Sequence, residues 1–363
     1  MGQISIACVG DVMCGDSFYA IGSGAGTSMD KYGFDFLDRE TVTFLRSHDI
    51  VIGNVEGCLS DIGRDDRSLR SLHMRGRAKT ADYLRRWGIT AASAANNHIL
   101  EQGVECAIDT VENLKRAGIK VAGAGRNGQF EKGIEAAEIK IGNQVVSILN
   151  ICLLKERYAF DGGGGLEEFI DEIKRRSGCG ETVIVSVHWG RELVDRPTLE
   201  QRKIAERFAE AGARLIIGHH PHVVQGVEEI NGSLVAYSLG NFIFDSFFED
   251  TRWSFILSVK LDGDAMSGWD CVATASDREH RPYIAKKAKR EKLDAEIGRR
   301  SELLQRDVEP DEYRKRFEMD FRELDIQSRK QMRRGILKGI TGYKAMYLPQ
   351  LLLRPVRRRL GAW

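Results

Sequence analysis

Residues 216–226 read IIGHHPHVVQG, so His219, His220 and His222, three of the chain's eight histidines, fall within four positions between two branched apolar runs. Such a cluster can bind a metal, move protons, or be no more than a polar turn. Four further motifs follow apolar runs in the same way: GDVM (10–13), GNVEG (53–57), AANNH (94–98) and VHWGRE (187–192). A sixth, YSLGNF (237–242), lies inside a last pair of strand-like runs. Carboxylates, amides and imidazoles are the oxygen and nitrogen donors that divalent first-row metals prefer. In open α/β sheets the carboxyl ends of strands are where sites are assembled. Repeated delivery of such donors after strand-like runs therefore points to a metal or acid/base site.

The elements that must carry these motifs are legible as an alternation. ISIACV (4–9), IVIG (50–53), ITAASA (89–94), VVSILNI (145–151), TVIVSV (182–187) and ARLIIG (213–218) are continuous apolar runs, which suit strands covered on both faces. Helical periodicity fills roughly 36–47, 79–87, 101–117, 166–177 and 198–211. LVAYSLGNFIF (234–244) and SFILSVKLD (254–262) are expected as strands of a second sheet. GGGG (162–165) reads as a loop before a helix, because no GK[ST] follows it to complete a phosphate cradle. The pattern predicts a layered α/β domain over 1–280 and a helical, basic extension over 281–363.

Composition bounds the class. At 363 residues, 42% hydrophobic and 29% charged, the chain is a globular protein with ample core. Net charge is +1, yet residues 281–363 hold 23 Lys and Arg against 12 Asp and Glu, leaving the rest acidic. Seven scattered cysteines without a CxxC pair argue against a disulfide framework or zinc ribbon and for a reducing compartment. No secretory signal and no spanning apolar stretch is read from the sequence. The expected location is cytoplasmic, with the inner membrane face as a contact for the tail. Residues 326–363 contain 10 Lys and Arg and no Asp or Glu, interleaved with MYLPQLLL and a final Trp363. That composition suits a membrane-surface contact, a docked helix or an oligomer contact. A nucleic-acid partner is not expected, since no recognised binding fold is present and aromatics are few.

As an ordered set, GDVM, GNVEG followed by LS, NNHxxxxG, HWGxE, GxHPHxxQ and YSLGNF resemble the poly-gamma-glutamate capsule biosynthesis (CapA) family. That family is a branch of the calcineurin-like metallophosphoesterase superfamily, and the likeness covers residues 4 to about 262. It implies a four-layer α/β/β/α sandwich of the metallophosphoesterase type, with two divalent ions (manganese, iron or zinc) at the strand ends. By the resemblance, Asp11 holds the first ion, and Glu56, with Asn54 beside it, stands at a bridging carboxylate. Asn97, His188, His220 and His222 complete the ligand set, and His219 is left as a surface or supporting residue. His98 is the acid or electrophilic stabiliser. From the residues themselves, Glu192 orients His188, meets substrate or is, with Arg191, an exposed strand-end pair, and Asn241 is a further candidate because a polar amide there lies close to the histidine turn. Two ions ~4 Å apart can activate a water and clamp a phosphoryl or carbonyl oxygen.

The chain departs from the superfamily pattern at Met13, where Asp-x-His would supply a histidine, and at Glu101, where aspartate is common. The resemblance implies a hydrolase in capsule or exopolymer production acting on an anionic polymer or phosphorylated substrate. Its alternative is a non-catalytic subunit of a polymer synthase or exporter that keeps a degenerate site. Arg64, Arg67, Arg70, Arg75 and Arg77 are equally a solvated loop or a clamp for an anion. Trp189, Tyr237 and Phe242 read as core aromatics.

Overall fold

In the computed structural model, residues 3–246, 248–304, 309–340, 347 and 350 are described. The first sheet contains β1 (Gln3–Val12), β2 (Ile50–Val55), β5 (Ala91–Ser93), β6 (Lys120–Ala122), β13 (Asn241–Ile243), β14 (Trp253–Asp262), β15 (Ala265–Ser276) and β16 (Pro282–Ile284). Its order is β16-β15-β14-β1-β2-β5-β6, with β13 also paired to the end of β1. The second sheet contains β7 (Ala137–Ile141), β8 (Gln144–Cys152), β9 (Thr182–His188), β10 (Ala213–His219), β11 (Val227–Ile230) and β12 (Ser233–Ala236), in the order β11-β12-β10-β9-β8-β7. A short pair, β3 (Cys58–Leu59) and β4 (Arg75–Gly76), stands apart.

Strand alternation builds the layers. Along β1, Ile4, Ile6 and Cys8 pack between the sheets against Ile148, Ile184 and Ile217. Ala7 and Val9 face the other way, onto a helical layer that contributes Leu45, Leu84 and Trp87. That layer is α1 (Ala25–Tyr32), α2 (Arg39–Arg46), α4 (Thr80–Trp87) and α5 (Val104–Arg116), with the short α3 (Leu69–Leu72) beside β4. On the far face of the second sheet, α6 (Leu166–Gly178) and α7 (Leu199–Glu210) bury Phe169, Ile173 and Phe208 against Leu149, Val183 and Ile216. The result is the four-layer α/β/β/α sandwich. Strands that bury both faces must be apolar throughout, which is why they were visible as unbroken runs.

One strand assignment needs correction. Residues 254–262 form β14, which pairs antiparallel with β1 in the first sheet, not the second. Residues 234–244 divide between the sheets: β12 pairs with β10 in the second, and β13 pairs with β1 in the first. Gly240, at φ 74°, lies in the connection and accepts a hydrogen bond from the Asp11 N–H at 3.0 Å. Hydrophobicity alone cannot tell one buried sheet from another, so the crossing is invisible in sequence.

Packing is continuous across residue 280. β16 extends the first sheet, and α8 (Lys287–Leu304) sends Leu293 and Ile297 into the inter-sheet core. The buried Arg300 of α8 donates to the Val224 carbonyl. α9 (Pro310–Ile340) follows. No helix among the described residues is long and apolar enough to cross a membrane. Of the basic tail, residues 341–346, 348–349 and 351–363 lie outside the described residues.

Two glycines test how tightly the strand ends are fitted. A Cβ on Gly10 would lie 1.9 Å from the Gly240 carbonyl oxygen, whereas one on Gly53 would first meet a Val9 methyl at 3.1 Å. Overpacking costs about 1–3 kcal/mol. Gly10→Ala should lose that much in urea unfolding and Gly53→Ala less; the reverse order would contradict the packing described.

Candidate metal centre

The ends of parallel strands from both sheets meet at Asp11. Asp11 sits across from Asn54 of β2 and Asn241 of β13, while His188 at the end of β9 sits across from His219 at the end of β10. Asp11 is fully buried and accepts from Asn54 Nδ2 at 2.9 Å. Its two oxygens also lie 3.0 Å from His219 Nδ1 and 3.2 Å from His222 Nδ1, and the His220 N–H donates to it at 3.3 Å. Burial alone would raise the Asp11 carboxyl, but the bonds and charge of His219 and His222 hold it well below the usual carboxylate range.

The histidine turn is strained. His220 and His222 have φ of 94° and 59°, a left-handed region that costs an L-residue ~1–3 kcal/mol. Glycine would relieve that strain; histidine at both positions implies that the imidazoles are worth it. His222 Nδ1 lies 2.9 Å from Asn241 Oδ1, and its Nε2 lies 3.7 Å from Glu56 Oε1. Burial lowers the His222 pKa, yet the charge of Glu56 and the bond to Asp11 carry it up to about 10. His220 is pushed down to about 3 by burial and by neighbouring His222.

The second group of donors comes from the loop after β5. Asn96 donates to the Val55 carbonyl at 2.8 Å and accepts from the His98 N–H at 3.1 Å, holding this turn against β2. Asn97 Oδ1 then lies 2.9 Å from His188 Nε2, and Asn97 Nδ2 donates to Glu156 at 3.0 Å. His188, wholly buried, has its ordinary pKa driven well down by desolvation and then by His220. His98 Nδ1 pairs with Glu101 at 2.7 Å, and its Nε2 lies 3.9 Å from Glu56. Burial opposes its charge, but Glu101 and Glu56 together raise its pKa.

Glu56 is the clearest anomaly. It is 1% exposed, and neither carboxylate oxygen has a hydrogen-bond partner. Burial pushes its pKa up to about 7. Asn54 Oδ1, His219 Nε2 and His220 Nδ1 are likewise buried without a partner. Native interiors satisfy nearly all buried polar atoms, so several orphans in one place call for a bound group. One donor atom from each of Asp11, Glu56 and His222 lies within 4.8 Å of the others, and the same holds for Glu192, His220 and His222. Orphaned oxygens and imidazole nitrogens at that spacing fit divalent cations.

The sequence-derived residues Asp11, Asn54, Glu56, Asn97, His98, His188, His220, His222 and Asn241 thus gather at one end of the sandwich, with Glu192 at the rim. Two expectations change. His219 is not a surface residue: it is 1% exposed and bonded to Asp11, because it is the last residue of β10 and faces the seam. Glu192 does not orient His188, whose ring nitrogens face Asn97 and Asn54; it clusters with His220 and His222 instead. Glu156 went unnoticed, since a single acid in the loop after β8 carries no spacing signal. The arginine loop is largely satisfied internally. Buried Arg75 bonds the carbonyls of Ser60 and Ile62, Arg64 pairs with Asp66, and Arg77 lies near Asp30, Asp61 and Asp66. Trp189 stacks on Tyr237 and donates to its carbonyl, so both are core residues, as is Phe242.

Fold and site together define a layered α/β protein with a candidate metal centre at its strand ends. Residues 5–246 match the family described as bacterial capsule synthesis protein PGA_cap, and the chain belongs to it. It is 27% identical over 289 residues to the capsule biosynthesis protein CapA of Bacillus anthracis, covering 74% of this chain and 67% of that protein. It is 28% identical over 270 residues to the PGA biosynthesis protein CapA of Bacillus subtilis (strain 168), covering 71% and 68%. Among solved structures, a phosphatase from Mycoplasma pneumoniae is 14% identical with a TM-score of 0.47, covering 76% of this chain and 94% of that one. The calcineurin-like phosphoesterase YfkN from Bacillus subtilis is 10% identical with a TM-score of 0.40, covering 84% and 99%.

Because the Glu56 pKa is raised above its ordinary value of 4.5 to about 7, its contribution to stability is complete below about 4.5 and lost as pH rises through 7. Chelator-treated Glu56→Gln should therefore gain stability over the parent as pH goes from 5 to 8 in thermal melts. A difference that stays flat over that window would refute the burial-driven shift.

Proposed function

We propose that the chain is a metal-dependent hydrolase acting on a phosphoester or amide-type centre in the making of capsule or a related anionic exopolymer. The observation that carries this reading is the orphaned, fully buried Glu56 carboxylate facing His222 and Asp11 at the strand ends. Asp11, Asn54, Glu56, Asn97, His188, His220 and His222 would hold two divalent ions, manganese, iron or zinc. When bound, such ions activate water and stabilise charge on a phosphoryl or carbonyl oxygen.

The remaining steps belong to the chain. Asp11 and Asn241 both meet the His222 ring at Nδ1, leaving Nε2 toward Glu56, and Asn97 fixes His188 through Nε2. His98 stands partly exposed at the mouth, paired through Nδ1 with Glu101, and is held in its protonated form more readily than a free histidine. That leaves Nε2 to donate a proton to a leaving group or to steady an oxyanion. Glu101 fixes the orientation of the ring through Nδ1.

A second reading, a non-catalytic partner of a polymer synthase that retains only a binding site, is favoured by one feature. Met13 is buried and supplies no hard donor where Asp-x-His would place a histidine. Elemental analysis of tag-free protein separates the two when combined with hydrolysis of bis(p-nitrophenyl) phosphate. The hydrolase reading expects about two equivalents of metal, a loss of metal in His222→Ala, and a roughly 10²–10⁴-fold fall in kcat with unchanged metal in His98→Ala. Metal without turnover on phosphodiester or amide substrates would favour the binding role. For the tail, we propose peripheral contact with anionic lipid through residues 326–363; flotation with phosphatidylserine vesicles should depend on that segment and weaken with salt.

A further inference from the structure

The segment that follows β9 carries Glu192, and its path is fixed by bonds to the histidine turn. Leu193 adopts φ 63°, and its N–H donates to the Pro221 carbonyl at 2.8 Å, between His220 and His222. Two residues of this neighbourhood are joined again where Gln225 Nε2 donates to the Val194 carbonyl at 2.7 Å. A leucine in that conformation costs about 1–3 kcal/mol and persists only when its surroundings demand it. The demand here is a register that brings Glu192 within 4.8 Å of donors from His220 and His222. His220, whose buried Nδ1 has no hydrogen-bond partner, belongs to the same cluster.

The outer side of this segment is clasped by α9. The Arg191 guanidinium lies 4.6 Å from the Phe321 ring centroid and 5.5 Å from that of Phe317, and pairs with Glu318 at 3.3 Å. Arg196 reaches Asp320 at 2.9 Å, and the Tyr313 hydroxyl bonds the Pro197 carbonyl. Phe321, Leu324 and Asp325 of the same helix line a cavity of about 430 Å³ whose other wall includes Glu156, Glu192 and His220.

Resting on the metal-centre reading above, we propose that Glu192 is a ligand of an ion it shares with His220 and His222, and that α9 positions it through Arg191. Two imidazoles and one carboxylate occupy three coordination positions and leave the others for water and substrate. The ion so held borders the cavity walled by α9, so substrate reaching it must lie along Phe321 and Leu324. The extension is then part of the site, and Arg191 is a positioning residue one step removed from the ion.

The test is a Mn²⁺ titration of the chelator-treated full-length chain, read by calorimetry and by the electron paramagnetic resonance of bound ion. Glu192→Gln should lose or strongly weaken one site while an ion at Asp11 and Glu56 remains. Loss of supporting partners typically weakens metal binding by about 10–100-fold; Arg191→Ala should do so at the same site, with Arg191→Lys recovering part of it. Metal-free melts of the three variants report whether each folds, and a control at exposed Glu323 of α9, which lies outside the cavity wall, Glu323→Gln, leaves the clasp intact and should bind as the parent does. If the parent binds no Mn²⁺, the metal centre itself is refuted. If the parent binds and Glu192→Gln matches it, the ligand assignment falls while the centre stands. If Glu192→Gln weakens binding but Arg191→Ala does not, the positioning role of α9 is overturned.

Discussion

Everything at this end of the molecule depends on one buried negative charge. Asp11 lies next to the end of the central strand of the first sheet, yet its imidazole partners come from the second: His219 ends β10 and His222 lies in the turn after it. A carboxylate with no solvent access must find compensating charge or hydrogen bonds, and here the partners lie across the inter-sheet seam. The backbone N–H of the same residue donates to the carbonyl of Gly240, where the chain crosses between sheets. Removing one partner of a buried charge costs several kcal/mol, because the other is left unpaired. Asp11 therefore fixes the relative placement of the two strand sets as much as it offers oxygens to a ligand.

Satisfaction of polar groups separates this cluster from others that look similar on paper. Asp16 and Asp245 are also buried carboxylates, each with its pKa pushed to about 6, by burial first and, for Asp16, by the charge of Asp245. Their oxygens, however, accept from the N–H groups of Gly22 and Thr27, and of Ser17 and Ala25 respectively. They close a loop at the start of α1 and leave nothing for a ligand. Arg75 is buried too, and its guanidinium is spent on loop carbonyls. Glu56 differs because its oxygens are bonded to nothing while imidazoles stand just beyond hydrogen-bond range. Strain at His220 and His222 adds local free energy that packing elsewhere must offset.

The C-terminal region divides by chemistry. α8 behaves as core: Leu293, Ile297 and Leu304 are buried, and Arg300 reaches the Val224 carbonyl in the connection between β10 and β11. The first half of α9 carries acids and aromatics that meet Arg191 and Arg196. Beyond residue 325 the sequence turns basic and apolar. A composition average over 281–363 blends these three pieces into one charged extension, which hides that the first two belong to the body.

The sequence by itself determined the layer pattern and which polar motifs would collect at one end of it. Strands buried on both faces must be apolar without interruption, and donors placed directly after such runs must emerge at one edge of a parallel sheet; Asp11, Asn54, Glu56, Asn97, His188, His220 and His222 obey that rule. Tertiary structure alone decided which sheet received β13 and β14, because inter-sheet packing is equally apolar from either side. It also decided that His219 faces Asp11 rather than solvent, since inter-sheet packing chose which face of β10, the one carrying Leu215, Ile217 and His219, turns to the seam. And it alone brought Glu192 to His220 and His222, and α9 to Arg191, through hydrogen bonds and ring contacts between segments whose spacing along the chain carries no signal.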